Sequence, residues 1–210
     1  MDGQQESLSH NTLIIINPWK KSVESYFKAG ENIKVKRPDR CPVCGCVHLI
    51  FWGKRRRYAI DGKCEFKLFV RRVRCKRCLR VHTILPAFLL YRRVYPAKII
   101  IAALNLTFLN KHGTRGMAAA LAVARSTGAR WIKSFRAVAK SHYRRFLYLY
   151  HTHFPQAPPI KPTGSYCSAA LHLAKRLFVF QSRGAEIEPD LFASRLSLAT
   201  SGYLLDRANH

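Results

Sequence analysis

Alternating apolar and polar positions between residues 48 and 74 predict two β-strands. The run His48–Ile60 mixes aliphatic, aromatic and basic residues, and Cys64–Arg74 returns with apolar side chains at every second position in its first half. Asp61 and Gly62, which lie between the two runs, are a strong hairpin signal. The pattern therefore predicts one long β-hairpin.

A short helical pattern between two β-branched runs marks the N-terminal segment. Thr12–Asn17 predicts a strand, and Ile33–Lys36 is a second strand candidate. Ser22–Ala29 predicts a helix that Ser22 caps and Gly30 ends. We expect this strand-helix-strand piece, residues 1–40, to pack on the hairpin.

The apolar spacing becomes helical after residue 95. An apolar connector, His82–Tyr91, leads to a helix over Ala97–Asn110. Thr114–Val123 predicts a second, alanine-rich helix that begins at a Thr114 cap. After a turn with a Ser/Thr cap, a third helical stretch runs on to Phe154. A short helix, a tight turn and a helix with basic residues at its start predict a helix-turn-helix.

The C-terminal part begins with a proline-rich stretch. Pro155–Pro162 holds four prolines and predicts either a linker or an extended brace. Tyr166–Ser182 is typical of an amphipathic helix, and Asp190 can cap a last helix over Leu191–Arg207.

Two C-x2-C steps carry the most specific chemistry of the chain. Cys41 and Cys44 form the first step, and Cys75 and Cys78 form the second. Each step directs two sulfur atoms at one centre, and two steps together supply the tetrahedral ligand set of zinc. The seven cysteines are an odd number, which argues against a disulfide framework. The sequence therefore predicts one structural Zn²⁺ in a zinc ribbon.

Other cysteines and two histidines are weaker candidates for the metal. Cys46 and Cys64 lie near the predicted site, but the two C-x2-C steps already complete a ligand set. His48 and His82 are substitutes of lower rank, and Cys167 is expected to be a buried thiol.

The predicted fold class is α+β. Residues 1–40 form the N-terminal piece and residues 41–92 the zinc ribbon. An all-α helix-turn-helix domain follows over residues 93–154. Residues 155–164 are the proline-rich linker, and residues 165–210 the C-terminal helical segment.

Charge narrows the choice of partner. The chain holds 37 Lys and Arg against 11 Asp and Glu, a formal net charge of +26, which favours a polyanion. Nucleic acid is the first expectation and an anionic membrane surface the second. The apolar runs fall short of a membrane span, and the first residues lack the pattern of a signal peptide. We therefore expect a cytoplasmic, nucleoid-associated protein.

The basic residues of the predicted hairpin and helix-turn-helix are candidates for nucleic-acid contact. Phosphate contacts are expected from the hairpin, its second knuckle and the connector. These residues are Lys54, Arg55, Arg56, Arg57, Arg71, Arg72, Arg74, Lys76, Arg77, Arg92 and Arg93. Contacts from the helix-turn-helix, including base contacts in the major groove, are expected from Arg115, Arg125, Ser126, Thr127, Arg130, Lys133 and Arg136.

These motifs resemble a known architecture. CPVCG, a basic hairpin, CKRC, an apolar linker and ARSTGARWIKSF are similar to the zinc-ribbon and helix-turn-helix front end of bacterial insertion-sequence transposases. They also resemble stand-alone bacterial domains of unknown function that share this front end. The resemblance runs from about Leu13 to about Arg136. It departs at two positions: Ala122 stands where glycine is usual, and Gly128 where an apolar or β-branched residue is common.

Acidic residues are too sparse for a transposase active site. Such enzymes hold two metal ions with three carboxylates, yet no Asp or Glu lies between Glu65 and Glu186. Glu186, Glu188 and Asp190 are better placed to cap a helix or pair with arginine. No phosphate-binding loop or hydrolase motif is present. We therefore expect no catalytic residues.

The sequence thus predicts a non-catalytic, zinc-dependent DNA-binding protein that acts in transposition as a targeting or end-binding factor, or as a regulator derived from a transposase. Its partners would be double-stranded DNA and proteins of the same complex. Three alternatives stay open: an RNA-binding zinc-ribbon protein, a protein-interaction subunit of a nucleoprotein complex, and a truncated transposase.

Overall fold

A mixed sheet and a helical bundle make up the part of the chain described by a computed structural model. The described residues are 14–17, 22–30, 33–158, 160–162 and 164–181, with single residues at 196, 199, 200, 204 and 205. Their elements are β1 (Ile14–Asn17), α1 (Val23–Ala29), β2 (Leu49–Asp61), β3 (Cys64–Cys75), β4 (Val81–Pro86), α2 (Ala97–Phe108), α3 (Thr114–Ala120), α4 (Arg125–His153) and α5 (Tyr166–Gln181). Apart from those single positions, the predicted last helix lies outside the described residues.

The four strands form one sheet in the order β1-β4-β3-β2. The predicted hairpin is confirmed: β2 and β3 pair antiparallel from Leu49–Cys75 at one end to Asp61–Cys64 at the other. β3 also pairs antiparallel with β4, and β1 pairs parallel with β4. The chain is therefore α+β, with its sheet entirely in the N-terminal half of the described residues.

The apolar connector predicted over His82–Tyr91 contains a strand that the sequence did not reveal, because its first residues belong to β4. This strand lies between β1 and β3 and is buried at His82–Pro86. A short apolar run that is buried on both faces has no alternation to reveal it. His82 and Pro86 added polar and breaker signals that concealed the strand.

The prediction of a second N-terminal strand at Ile33–Lys36 was wrong. Residues 33–38 have no regular secondary structure. Ile33 is buried in the core beneath α1, and Val35 packs against the cores on both sheet faces. The segment is thus held by its side chains and not by a hydrogen-bonded ladder.

Two small apolar cores lie on opposite faces of the sheet. On one face, α1 contributes Val23 and Tyr26, which pack with Leu68 and Val70 of β3. The Tyr26 hydroxyl donates to the Phe69 carbonyl at 3.2 Å. The core on the other face, which we call the cysteine core, contains Leu49, Val73, Ile84, Cys41 and Cys75. We call the core on the face covered by α1 the α1 core. Successive residues of β4 point to opposite faces, so Ile84 lies in the cysteine core and Leu85 in the α1 core.

A β-bulge divides the hairpin into two halves. The register shifts between Phe51 and Lys54, so Trp52 and Gly53 lie opposite the single residue Arg72. Gly53 has φ +70°, a left-handed conformation that glycine adopts without steric cost. As a result, the outward-facing residues of β2 change sides at the bulge.

A third, larger core joins α2, α3, α4 and α5. Trp131, Ile132 and Phe135 of α4 lie at its centre, as the helical spacing predicts. Ala157 and Ile160 of the proline-rich stretch pack against this core, and the Tyr143 hydroxyl donates to the Ile160 carbonyl at 2.6 Å. The stretch is therefore a brace between α4 and α5. No helix in the described residues has the length and apolar character required to span a bilayer.

Several contacts join the hairpin tip to the helical core. The Ile60 N–H donates to the Val94 carbonyl at 2.8 Å, and Lys98 of α2 forms an ion pair with Asp61 at 3.0 Å. The sheet and the helices are thereby held in a fixed arrangement.

The predicted cap of α1 is confirmed, while those of α3 and α4 were wrong. The Ser25 N–H donates to the Ser22 hydroxyl at 3.2 Å. The N-cap of α3 is Gly113 and not Thr114, and the N-cap of α4 is Ala124, without a side-chain hydrogen bond. The backbone turn itself sets the start of α4, so Ser126 and Thr127 lie within the first turn of the helix and do not cap it.

Both departures from the transposase pattern have a structural role. Ala122 has φ +51°, so the turn between α3 and α4 adopts the conformation that glycine usually supplies. Gly128 lies where a Cβ atom would overlap the Cε atom of the buried Met117 of α3. Gly128 thus permits the close approach of α3 and α4.

Replacing Gly128 with alanine therefore tests the packing of α3 on α4. Alanine normally stabilises a helix by about 1 kcal/mol relative to glycine. For Gly128→Ala we expect this gain to be lost, since the end of the buried Met117 side chain has to shift. Gly116→Ala is the control, because a Cβ there meets only an ordinary contact with His112 at 3.6 Å. Denaturant unfolding should show Gly116→Ala gaining stability and Gly128→Ala gaining none; equal stabilisation would contradict the packing described.

Candidate metal centre and basic surfaces

Four cysteine sulfur atoms meet at the end of the hairpin away from its turn. The Sγ atoms of Cys41, Cys44, Cys75 and Cys78 all lie within 4.8 Å of one another. Cys41 and Cys78 are 3.7 Å apart, and Cys44 and Cys75 are 3.6 Å apart. Metal–sulfur bonds of about 2.3 Å in a tetrahedron place sulfur atoms about 3.8 Å apart. The four side chains could therefore hold one metal ion.

The two cysteine turns have the same backbone design. The Cys41 N–H donates to the Cys46 carbonyl at 2.8 Å, and the Cys75 N–H donates to the Arg80 carbonyl, five residues on, at 3.0 Å. The residue after the second cysteine of each turn is left-handed: Gly45 has φ +68° and Leu79 has φ +58°. Leu79 thus takes a conformation that the sequence of the first turn assigns to glycine.

The backbone of the second turn favours a thiolate. The backbone N–H of Cys78 and, to a smaller extent, that of Arg77 donate to the Cys75 sulfur. These hydrogen bonds lower the pKa of Cys75 to about 6. Burial raises the pKa of Cys41, and it raises the pKa of Cys78 to about 12. A cation that binds all four sulfur atoms has to displace the proton of any thiol among them, and the N–H groups of the second turn favour the thiolate form of Cys75.

The remaining candidates lie outside this sulfur group. His82 of β4 is fully buried, and its Nε2 atom is 3.4 Å from the Cys41 sulfur, close enough to donate a hydrogen bond to a thiolate. Cys46 accepts a hydrogen bond from the His48 N–H at 3.4 Å. Cys64 is exposed at the opposite end of the hairpin, and Cys167 is buried in α5.

One face of the hairpin beyond the bulge is basic and aromatic. Residues paired across two antiparallel strands share a face, and Arg71 is paired with Lys54, Phe69 with Arg56, and Lys67 with Tyr58. We call these six residues the open hairpin face. They are half-buried or exposed, and the Arg71 guanidinium lies 6.0 Å from the Phe51 ring centroid. The structure thus brings Lys54, Arg56 and Arg71 together.

The predicted contacts Arg55 and Arg57 lie on the opposite face. Arg57 is half-buried, and its Nη2 atom donates to the carbonyls of Arg93 at 3.0 Å and Leu90 at 3.5 Å. Burial lowers its pKa from the normal value of arginine. Arg57 therefore ties the hairpin to the segment that precedes α2.

The bulge half of the hairpin carries a second cationic group on that opposite face. Arg72 and Arg74 alternate with the buried Val73, and the Arg74 guanidinium lies 4.6 Å from the exposed Trp52 ring. Lys76 and Arg77 are exposed on the second cysteine turn. Arg92 is exposed and stacks on Tyr91 at 4.9 Å.

The start of α4 presents polar and cationic side chains outward. Arg125, Ser126, Arg130, Lys133 and Arg136 are exposed, and so is Arg115 on α3. Thr127 is half-buried, and its hydroxyl accepts from Arg130 Nη2 at 3.3 Å.

Cations farther along α4 were missed from the sequence. Lys140, Arg144 and Arg145 are exposed and continue the outward side of Lys133. Since α4 is one helix of 29 residues, helical periodicity carried past residue 136 identifies them. Tyr148 of the same helix is 72% exposed. We call Arg130, Lys133, Arg136, Lys140 and Arg144 the outer stripe of α4.

The four clustered cysteines and the start of α4 lie within one stretch of sequence similarity. Residues 41–131 match a family described as a domain of unknown function, DUF6431. The DUF6431 match begins at the first cysteine of the cluster and ends in the second turn of α4, so it contains β2, β3, β4, α2 and α3. It spans rather less than half of the chain. No curated protein and no solved structure matches the chain.

Metal stoichiometry tests the cysteine site directly. Native mass spectrometry of the metal-loaded chain should show one metal ion, whose mass identifies the element. Cys44→Ser should lose the ion or bind it at least tenfold more weakly, because one thiolate of the set is removed. Cys46→Ser is the matched control in the same turn and should retain it. Equal loss in both variants would contradict the assigned ligand set.

Proposed function

We propose that this chain is a non-catalytic, zinc-dependent protein that binds double-stranded DNA. The metal would be Zn²⁺, since four thiolates in a tetrahedral arrangement are a preferred zinc ligand set. Zinc would contribute folding free energy by holding β2 and β3 together at the open end of the hairpin. The four cysteines, His82 behind Cys41, and the paired strands would together form a zinc ribbon.

The observation that carries the proposal is the exposed start of α4. Ser126, Arg130 and Lys133 face outward, while Trp131 and Phe135 anchor the same turns in the core. A helix with this division, preceded by a short helix and a four-residue turn, has the layout of a helix-turn-helix. In such motifs the N-terminal residues of the second helix read base edges in the major groove. We assign that role to Ser126 and Arg130.

The open hairpin face would supply phosphate contacts. Lys54, Arg56 and Arg71 lie together on a rigid strand pair. Phosphate contacts position a protein on a duplex without reading its sequence. The hairpin would therefore give affinity and α4 would give specificity.

Recognition without catalysis is supported by how the described acidic residues are used. Of the four described acidic residues, Glu24, Asp39 and Asp61 each form an ion pair with a lysine, and Glu65 is exposed on β3. Glu186, Glu188 and Asp190 lie outside the described residues. With the resemblance to insertion-sequence transposases, this favours an end-binding or targeting factor, or a regulator derived from such an enzyme.

RNA binding is the second candidate, favoured by the aromatic residues of the hairpin. Trp52 and Tyr58 are exposed, and Trp52 already carries a stacked arginine. Exposed rings among cations suit unpaired bases, which RNA loops supply more often than duplex DNA does.

Binding measured across a salt series separates these candidates. We expect the metal-loaded chain to prefer duplex DNA over single strands and structured RNA. With about six phosphate contacts, log K should fall with log[salt] at a slope of about −5. Tighter binding to structured RNA at every salt concentration would overturn the DNA assignment.

Two neighbouring arginines supply a matched pair for the same assay. Arg56→Ala should reduce the salt slope by about 1 and leave the melting temperature unchanged, because Arg56 is exposed. Arg57→Ala should lower the melting temperature, since it leaves two backbone carbonyls without their donor. Equal effects of both variants on slope and melting temperature would contradict the two-face arrangement.

A further inference from the structure

A concave cleft lies between the end of α2, the loop before α3 and one side of α4. Its volume is about 440 Å³, within the range of ligand-binding clefts. Lys111 and His112 of the loop and Lys133 and Arg136 of α4 line it. Lys111 and His112 belong to none of the contacts expected from the sequence, because they lie in a loop without a motif.

The cleft collects positive charge without acidic counter-charges. Three of its side chains are cationic, and none of the residues that line it is acidic. The sequence has no Asp or Glu between Glu65 and Glu186, so α2, α3, α4 and the loops between them contribute no acid to it. Like charges held around a concavity raise the local concentration of anions.

The loop that carries Lys111 and His112 is fixed by backbone hydrogen bonds. The Asn110 N–H donates to the Asn105 carbonyl at 3.0 Å, and the His112 N–H donates to the Leu106 carbonyl at 2.8 Å. Lys111, between them, has φ +56°, a conformation that a side-chain-bearing residue adopts only when its surroundings hold it. The loop therefore presents Lys111 in a set position.

The opposite wall is fixed by packing. The Arg136 guanidinium lies 5.6 Å from the Phe108 ring centroid, while Ile132 of the same helix is buried in the core. A cation stacked on a ring gives up less freedom on binding an anion than one on a free side chain. Both walls are thus arranged before any ligand arrives.

We propose that this cleft binds a phosphate group, with Lys111 and Lys133 as point charges and Arg136 as a planar donor. Guanidinium and ammonium groups are the usual partners of phosphate oxygens. The inference rests on the proposed DNA binding for the source of the phosphate, a backbone phosphodiester beside the groove that α4 enters. A free phosphate anion has the same chemistry and is the alternative source.

The first arm of the test uses inorganic phosphate and pyrophosphate with the full metal-loaded chain. Amide chemical shifts are followed by NMR during each titration. Saturable shifts at residues 111–114 and 129–136, absent in Lys111→Ala/Lys133→Ala, support the cleft. They do so even if duplex DNA fails to bind, in which case the free anion is the source and the proposed function falls.

The second arm compares duplex binding by the same double variant and by Lys175→Ala. Lys175 is an exposed cation on α5 outside the cleft. We expect the double variant to reduce affinity at least tenfold and the salt slope by about 1, and Lys175→Ala to change neither. This result supports the cleft with a backbone phosphate as its source.

The cleft proposal is overturned if the anions cause no localised shifts and the double variant binds DNA like Lys175→Ala. Intact DNA binding in that case leaves the proposed function standing. Circular dichroism and melting of both variants establish that each is folded, which is expected because Lys111 and Lys133 are exposed.

Discussion

The cluster of four cysteine sulfur atoms is the contact on which the order of the whole sheet most depends. They tie the segment before β2 to the segment between β3 and β4, at the end of the hairpin opposite its turn. Among the described residues, the buried aliphatic side chains of the core around them are those of Leu49, Val73 and Ile84. A metal ion bound to all four sulfur atoms would link these segments directly, so we expect the order of this small core to depend on it. The α1 core on the other face and the Asp61–Lys98 pair then fix the rest of the hairpin.

A fixed hairpin matters because of the charge it carries. On a flexible hairpin the basic side chains would move apart from one another. Here the alternation along the strands and the bulge in β2 place the basic side chains on two opposite faces. Lys54, Arg56 and Arg71 share the open face, while Arg57 turns inward and donates to backbone carbonyls. The same division appears on α4, where apolar residues enter the core and the outer stripe remains in solvent. Much of the unbalanced charge is therefore presented from strands and helices, which favours a polyanionic partner.

Local signals in the sequence predicted the hairpin, the paired cysteines and the helical cores, because each depends on spacing within a few residues. They did not predict β4, whose place between β1 and β3 depends on partners far away in sequence. They also misplaced Ile33, which is buried by side-chain packing alone. Gly128 departs from the residue type that is common at its position, and the position of Met117 explains why glycine stands there. Lys111 and His112 join the cleft through a loop fold that no local motif encodes.

Hydrogen exchange in the metal-loaded and metal-free chain is the most direct test of this dependence. Amides of β2, β3 and β4 should exchange at least tenfold faster after the metal is removed, because their ladder is anchored at the cysteine core. Amides of α4 and α5 belong to a separate core and should change little. Unchanged exchange throughout the sheet would contradict the account, since the cysteines would then not be the constraint that holds the basic surfaces in place.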